Sequence, residues 1–138
     1  MQFKRASDAA PGAKAMWFRK ALAAYQEAVS AVPDDPRPVF YSGLCYERLS
    51  LLASSADEKR RNFAGAEAAY RKALTLRTGS PEYHPLLPYR ALASLYDASG
   101  DPRSALEFLK KVQELDPGYG RSAGVDRDVQ ALEQRLRR

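Results

Sequence analysis

One helical stripe, present three times, constrains this chain more than any other feature. In the segment Ala66–Leu76, which reads A-E-A-A-Y-R-K-A-L-T-L, the residues Ala66, Tyr70 and Ala73 fall at i, i+4 and i+7 on one helix face. Small residues on both sides of a ring let the backbone of a neighbouring helix come close. The same stripe recurs at six further positions: Ala21, Tyr25 and Ala28 upstream, and Ala105, Leu109 and Val112 downstream. Three copies in a short chain predict a protein built from helical repeats.

Composition agrees with an all-helical fold. The chain has 138 residues, which suggests one domain, and 45% of them are hydrophobic while 28% are charged. Ala, Leu and Arg dominate and β-branched aliphatic residues are sparse, so helix formers outweigh strand formers. Cys45 is the single cysteine, which excludes an internal disulfide. No window is apolar enough for a membrane span, and the first residues, M-Q-F-K-R-A-S-D, lack an apolar signal core. We therefore expect a soluble, cytoplasmic protein.

Proline, glycine and capping residues divide the chain into about six predicted helices. They run from about Ala13 to Val32, from Pro36 or Pro38 to Leu52, from Lys59 to Arg77, from Pro85 to Ala98, from Pro102 to Asp116 and from Val125 to Arg137. Pro11-Gly12 should break any earlier helix, and Asp57 and Asp101 are the expected caps of the third and fifth helices. The run 118–124, G-Y-G-R-S-A-G, reads as a flexible linker. The last helix has one narrow apolar stripe, which suits the end of a stack.

The ordered set of motifs resembles the tetratricopeptide repeat, whose unit is a helix A, a turn and a helix B. That family has W-x2-L-G-x2-Y on helix A and A-x3-F on helix B. Here one helix A offers Val39-x2-Ser42-Gly43-x2-Tyr46, and the next offers Tyr89-x2-Leu92-Ala93-x2-Tyr96 before the turn Gly100-Asp101-Pro102. The three stripes supply the B helices. The resemblance implies an all-α, helical-hairpin solenoid of about six helices with a C-terminal capping helix.

The repeats depart from the family pattern in three respects. Ala21 and Ala66 are 45 residues apart and Ala66 and Ala105 are 39 apart, against about 34 in the family. Thr78 stands where a closing proline is usual, and the first unit has no recognisable helix A. We therefore divide the chain as follows: an N-terminal extension at 1–12, repeats at 13–120 (a half unit 13–35, a long unit 36–80 and a unit 81–119) and a capping helix at 121–138.

No set of residues in the sequence forms a catalytic or metal site. His84 is the single histidine, in a turn, so a paired-histidine site is excluded, and Cys45 lies on a helix that should be packed. The glycines of 118–124 follow a helix and lack the spacing of a phosphate loop. We expect no enzyme activity, no cofactor and no metal.

The resemblance implies that the A helices line a concave groove that holds a peptide or a helix of a partner. The groove-facing positions transferred to this sequence are Arg37, Phe40, Leu44, Glu47 and Arg48 on the first A helix, and Leu87, Arg90, Ser94 and Asp97 on the second. Ordinary solvated helix surface is the alternative for these residues. Arg90 alone fits the style of a groove that clamps acidic chaperone tails, and neither A helix has an asparagine, which argues against that ligand.

The net charge of +5 lies away from the groove positions. Segments 1–33, 57–80 and 118–138 carry the positive excess, whereas 34–56, 81–100 and 101–117 each sum to −1. Nucleic-acid binding would need a continuous basic stripe, so we do not expect a nucleic-acid partner.

Two functional hypotheses follow. The first is a non-catalytic protein–protein interaction module that binds a peptide or protein segment in the A-helix groove, with Phe40 and Leu44 as its apolar anchors. The alternative is an assembly element that forms a homo-oligomer through its N-terminal end near Trp17 and Phe18. The simplest interpretation of this pair, however, is core packing or capping of a solenoid end.

Overall fold

The computed structural model describes residues 11–138, and in that range every regular element is an α-helix and there is no strand. Seven helices follow one another: α1 (Pro11–Ala31), α2 (Pro36–Leu52), α3 (Ala56–Ala73), α4 (Leu87–Ala98), α5 (Pro102–Leu115), α6 (Pro117–Ser122) and α7 (Val125–Leu136). The predicted all-α class is confirmed. The chain divides into two compact units, one up to Ser80 and one from Pro81 to Arg138. The finer predicted division into repeat units stays a prediction.

Aspartate caps begin two of the predicted helices. The Asp35 carboxylate accepts a hydrogen bond from the Arg37 backbone N–H at 3.0 Å, with Pro36 in the first turn of α2. Asp101 accepts from the Ser104 N–H at 3.1 Å and starts α5 as predicted. Such caps satisfy N–H groups that have no partner inside the helix.

Four helix boundaries differ from the prediction. Pro11 and Gly12 form the first turn of α1 instead of breaking a helix, since proline is tolerated there; residues 1–10 of the predicted extension lie outside the described range. Ser55, not Asp57, caps α3, and α3 ends at Ala73 rather than Arg77. Helix α4 begins at Leu87, two residues after Pro85.

The predicted flexible linker 118–124 is wrong. Residues Pro117–Ser122 form the short helix α6, because Asp116 caps it by accepting from the Tyr119 N–H at 3.0 Å. Gly124, at φ 79°, then makes the left-handed turn that glycine adopts most readily, and α7 begins at the next residue.

In the first unit, α2 packs against α1 on one side and α3 on the other. The stripe of α3 is fully buried, with Ala66 and Tyr70 at 0% exposure and Ala73 at 1%. The Tyr70 ring lies against Gly43 of α2, where an added Cβ would be 2.5 Å from a ring carbon. The glycine therefore stands where two helices cross closely. A second contact of this kind, Gly65 against the ring of Tyr46, was not predicted.

In the second unit, α5 packs against α4, α6 and α7. Its stripe is buried, with Ala105 at 1%, Leu109 at 6% and Val112 at 0% exposure. Four further side chains complete the buried core of this unit: Ala93, Val125, Val129 and Leu132. The apolar residues Val125, Val129 and Leu132 of α7 are thus buried, while most of its other positions are exposed. The predicted role of this helix as a cap of the stack stays a prediction.

Candidate functional site

Helix α2 presents one narrow exposed stripe. The exposed residues of this helix are Arg37, Tyr41, Arg48 and Leu51, and half-buried Leu44 lies between them. Their spacings of four, three, four and three residues place all five on one face of the helix. Two of them are large apolar side chains with substantial exposure, Tyr41 at 38% and Leu51 at 54%. From here on, these five residues are called the α2 stripe.

Two residues that the sequence placed in the groove are inside the protein, so these two assignments are wrong. Phe40 is 4% exposed and its ring packs 5.5 Å from that of Tyr70. Glu47 is 9% exposed and accepts a hydrogen bond from the Tyr70 hydroxyl at 2.7 Å. Both therefore serve the contact between α2 and α3. Tyr41 and Leu51 were missed, although continuing the heptad spacing from Arg37 would have found them.

The second unit contains a cleft between α4 and α7. It has a volume of about 380 Å³, and Leu109 of α5 also lines it. Helix α4 contributes Arg90, Ala93, Ser94 and Asp97, and α7 contributes Asp128, Ala131, Leu132 and Arg135. Three of the four predicted groove residues of this helix A thus share one cleft. The fourth, Leu87, is half-buried and is not among the lining residues.

Charge is arranged differently at the two ends of the cleft. At one end Asp97 and Arg135 form an ion pair at 3.1 Å between α4 and α7. At the other end the Arg90 guanidinium donates to the Tyr119 hydroxyl at 3.2 Å and to the Ala123 carbonyl at 3.4 Å. Arg90 is therefore held by α6 and by the turn after it, which keeps it in place at the cleft. No sequence pattern indicated the contribution of α7, because its polar face is typical of ordinary solvated helix surface.

Cys45 and His84 lie outside the cleft, and each is buried or hydrogen-bonded within the fold. Burial raises the pKa of the Cys45 thiol to about 11, so it stays protonated and unreactive at neutral pH. His84 accepts from the Leu86 N–H through Nδ1 at 3.0 Å, and its ring stacks on Tyr119 at 3.5 Å between centroids. The interaction of His84 Nε2 with Asp116, at 3.3 Å, ties this turn to the cap of α6.

Residues 11–138, the described part of the chain, lack both a candidate metal site and a candidate membrane span. In this range no cluster of three or more histidine, cysteine or carboxylate side chains could hold a metal ion. Nor does this part of the chain contain a helix whose length and hydrophobicity would let it cross a membrane.

Comparison with known proteins identifies the helical pair that forms one side of the cleft. Residues 89–119 match the family model of the tetratricopeptide repeat, a range that covers most of α4, all of α5 and the start of α6. Residues 89–119 are thus similar to a tetratricopeptide repeat. In the terms of that repeat, α4 is helix A, α5 is helix B and α7 is the next helix stacked on α5. Tetratricopeptide repeats are typical of protein–protein interaction modules. A search of curated proteins finds no match to this chain.

Proposed function

We propose that this protein is a non-catalytic module that binds a segment of a partner protein along its A helices. One binding surface is the α4–α7 cleft of the second unit, and the other is the α2 stripe of the first unit. The observation that carries the proposal is the cleft itself, because it brings together Arg90, Ser94 and Asp97, which the repeat pattern selects as ligand-facing. A concave site lined by several polar groups and an apolar floor is the usual form of a binding site.

The side chains of the cleft favour a peptide segment with both polar and charged groups. Arg90 and Asp128 lie on opposite walls, and Ser94 lies between Arg90 and the Asp97–Arg135 pair on the face of α4. Leu109 and Leu132 supply apolar surface at the base. A peptide could therefore place a carboxylate or carbonyl oxygen on Arg90 and an apolar side chain on the leucines.

The test is a matched pair of tryptophan substitutions on α4. Ser94→Trp fills the cleft, whereas Ala98→Trp adds the same bulk at an exposed position of the same helix that does not line it. Partners captured by the wild-type protein should be lost with Ser94→Trp and retained with Ala98→Trp. Equal capture by both variants would contradict the assignment of the cleft. Thermal melts of both variants control for loss of folding.

Phe40→Ala and Arg90→Ala are unsuitable as tests of binding. Phe40 packs on Tyr70 in the core, and Arg90 holds α6, so either substitution would disturb the fold as well as any bound partner.

Self-association is the second candidate, and the exposure of α1 favours it. The stripe that is buried on α3 and α5 is incompletely covered on α1, where Ala21 and Tyr25 are half-buried and Ala28 is exposed. Met16, near the start of the helix, is 56% exposed. Phe18, predicted at the interface, is instead 6% exposed and packs edge-on against Trp17 at 5.1 Å. Light scattering over a range of concentrations tests this candidate, since a monomer at all concentrations would exclude it.

A further inference from the structure

The α2 stripe has the pattern of a helix-packing seam that α1 and α3 leave partly uncovered. Tyr41, Leu44, Arg48 and Leu51 follow one another at spacings of three, four and three, as side chains do along a ridge that meets another helix. From Arg37 to Leu51 the stripe spans about 21 Å, the length of four helical turns. Tyr25 of α1 stacks on Tyr41 at 5.5 Å and extends the apolar surface at one edge.

The two arginines of the stripe have different electrostatic surroundings. Arg37 is paired with the carboxylate of Asp35, with its Nη2 atom 2.7 Å from Oδ2. The Arg37 guanidinium holds the pKa of that carboxyl group below its usual value. Arg48 is exposed and makes no ion pair within the described range, and it lies between Leu44 and Leu51. The stripe thus combines three apolar side chains with a positive charge near its middle that makes no ion pair in the described range.

An arginine inside an apolar seam specifies what can cover it. A helix that buries Leu44 and Leu51 must also take Arg48 out of water, and an unpaired charge is costly to bury. A carboxylate placed opposite removes that cost with paired hydrogen bonds to the guanidinium. One polar position within an apolar seam also fixes the register of two packed helices.

We propose that the partner of the α2 stripe is an amphipathic helix whose apolar face contains a single Asp or Glu, positioned opposite Arg48. This inference rests on the proposed function and adds the chemistry of its ligand. The apolar side chains supply contact area and the ion pair sets the register. An all-apolar helix would leave Arg48 buried and unpaired, so it binds more weakly.

The experiment uses two synthetic helical peptides of about 18 residues, long enough to span the stripe. Both have leucines at alternating spacings of three and four, and they differ at one central position of the leucine face, which is Glu in one and Gln in the other. Binding to the full chain is measured by fluorescence anisotropy at physiological salt. We expect the Glu peptide to bind about tenfold more tightly than the Gln peptide, as for a charge-assisted pair that replaces a neutral one.

Matched variants locate the binding surface. Arg48→Glu should remove the preference for the Glu peptide, whereas Arg61→Glu, which reverses an exposed charge on α3, should keep it. Leu51→Ala should weaken both peptides at least fivefold. Leu115→Ala is the control, because Leu115 is 51% exposed at the end of α5 and lies on no proposed surface. Ser94→Trp, which fills the α4–α7 cleft, should change the affinity for neither peptide. Binding at the α2 stripe can therefore be established even if the cleft proves not to be a binding site.

Four results would overturn the inference. Equal affinity for the Glu and Gln peptides would show that Arg48 does not select a carboxylate. Failure of both peptides to bind would show that the stripe does not bind a helix of this kind. A homodimer of the wild-type chain that Leu51→Ala dissociates would show that a second copy covers the stripe. Loss of binding to vesicles of phosphatidylcholine and phosphatidylserine with Leu51→Ala would assign the stripe to a membrane surface.

Discussion

Helices α1 and α3 carry the same alanine–tyrosine–alanine stripe, yet they bury it to different extents. On α3 the three residues are at most 1% exposed. On α1 the first two are half-buried and Ala28 is exposed. The difference follows from what each helix packs against. The stripe of α3 meets α2 at Gly43, whereas α1 has no helix A before it in the described residues.

One sequence pattern therefore has two roles in this protein. Small residues around a ring make a surface onto which another helix can pack, but they do not supply that helix. Tyr70 gains a hydrogen bond to Glu47 and the space over Gly43. Tyr25 gains a stacked ring, Tyr41, at the edge of the α2 stripe. The same residue type is therefore a core element in one helix and part of a surface in the other.

Truncating the two tyrosines should give the largest contrast. Tyr70→Ala removes a fully buried ring and should lower the free energy of unfolding by about 3–5 kcal/mol, as for other large aromatic residues in cores. Tyr25→Ala removes a half-buried ring and should cost about 1 kcal/mol. Chemical denaturation measures both. Similar losses for the two variants would show that the stripe of α1 is covered in solution.

A methyl group at the helix crossing should have the next largest effect. Gly43→Ala places a Cβ 2.5 Å from the Tyr70 ring, which is fully buried and has little room to move. The variant should lose about 1–3 kcal/mol, although alanine in a helix normally gains about 1 kcal/mol over glycine. Gly12→Ala is the control on α1, where nothing lies within 4 Å of an added Cβ, and it should be neutral or slightly stabilising. A stabilised Gly43→Ala protein would contradict the close packing.

Much of this fold could be predicted from the sequence because the determinants are local. Repeated stripes, prolines in first turns and aspartate caps placed six of the seven helices. The short helix α6 was missed because three glycines in seven residues suggest a linker, whereas the cap of Asp116 decides the conformation. The binding surfaces were predicted less well. Which face of α2 is exposed to solvent depends on where α1 and α3 lie. Phe40 and Glu47 were therefore assigned to the groove, although the exposed residues are the next ones in the sequence, Tyr41 and Arg48.

Alkaline pH should lower the stability of the fold through the buried Tyr70 hydroxyl of α3. Burial, followed by the nearby Glu47 carboxylate, raises the pKa of Tyr70 above its ordinary value of 10.0. The folded state then keeps a proton that the unfolded state releases, so stability is complete below pH 10 and falls as the pH rises further. The slope for one such group approaches about 1.4 kcal/mol per pH unit.

Thermal melts between pH 8 and pH 11 measure this slope. Tyr70→Phe should flatten it above pH 10, because phenylalanine has no proton to release. Cys45, with its pKa raised to about 11 from 9.0, adds a loss in the same direction that begins at lower pH and persists in the variant. An unchanged slope above pH 10 in Tyr70→Phe would show that this hydroxyl does not control alkaline stability.

A polar substitution of the last alanine of the stripe should change the stability least on α1 and considerably more on α3. Ala28→Gln places a longer side chain at an exposed helix position and should change the free energy of unfolding by less than about 0.5 kcal/mol. Ala73→Gln forces an amide into a site that is 1% exposed, and should cost several times more through overpacking and an unsatisfied polar group.

Thermal melts at two protein concentrations test whether α1 joins copies of the chain. If α1 joins copies of the chain, the wild type melts at higher temperature when concentrated and Ala28→Gln loses that shift, since a side chain at the joint would separate the helices. A monomer shows no shift in either protein, and the stripe of α1 is then exposed surface.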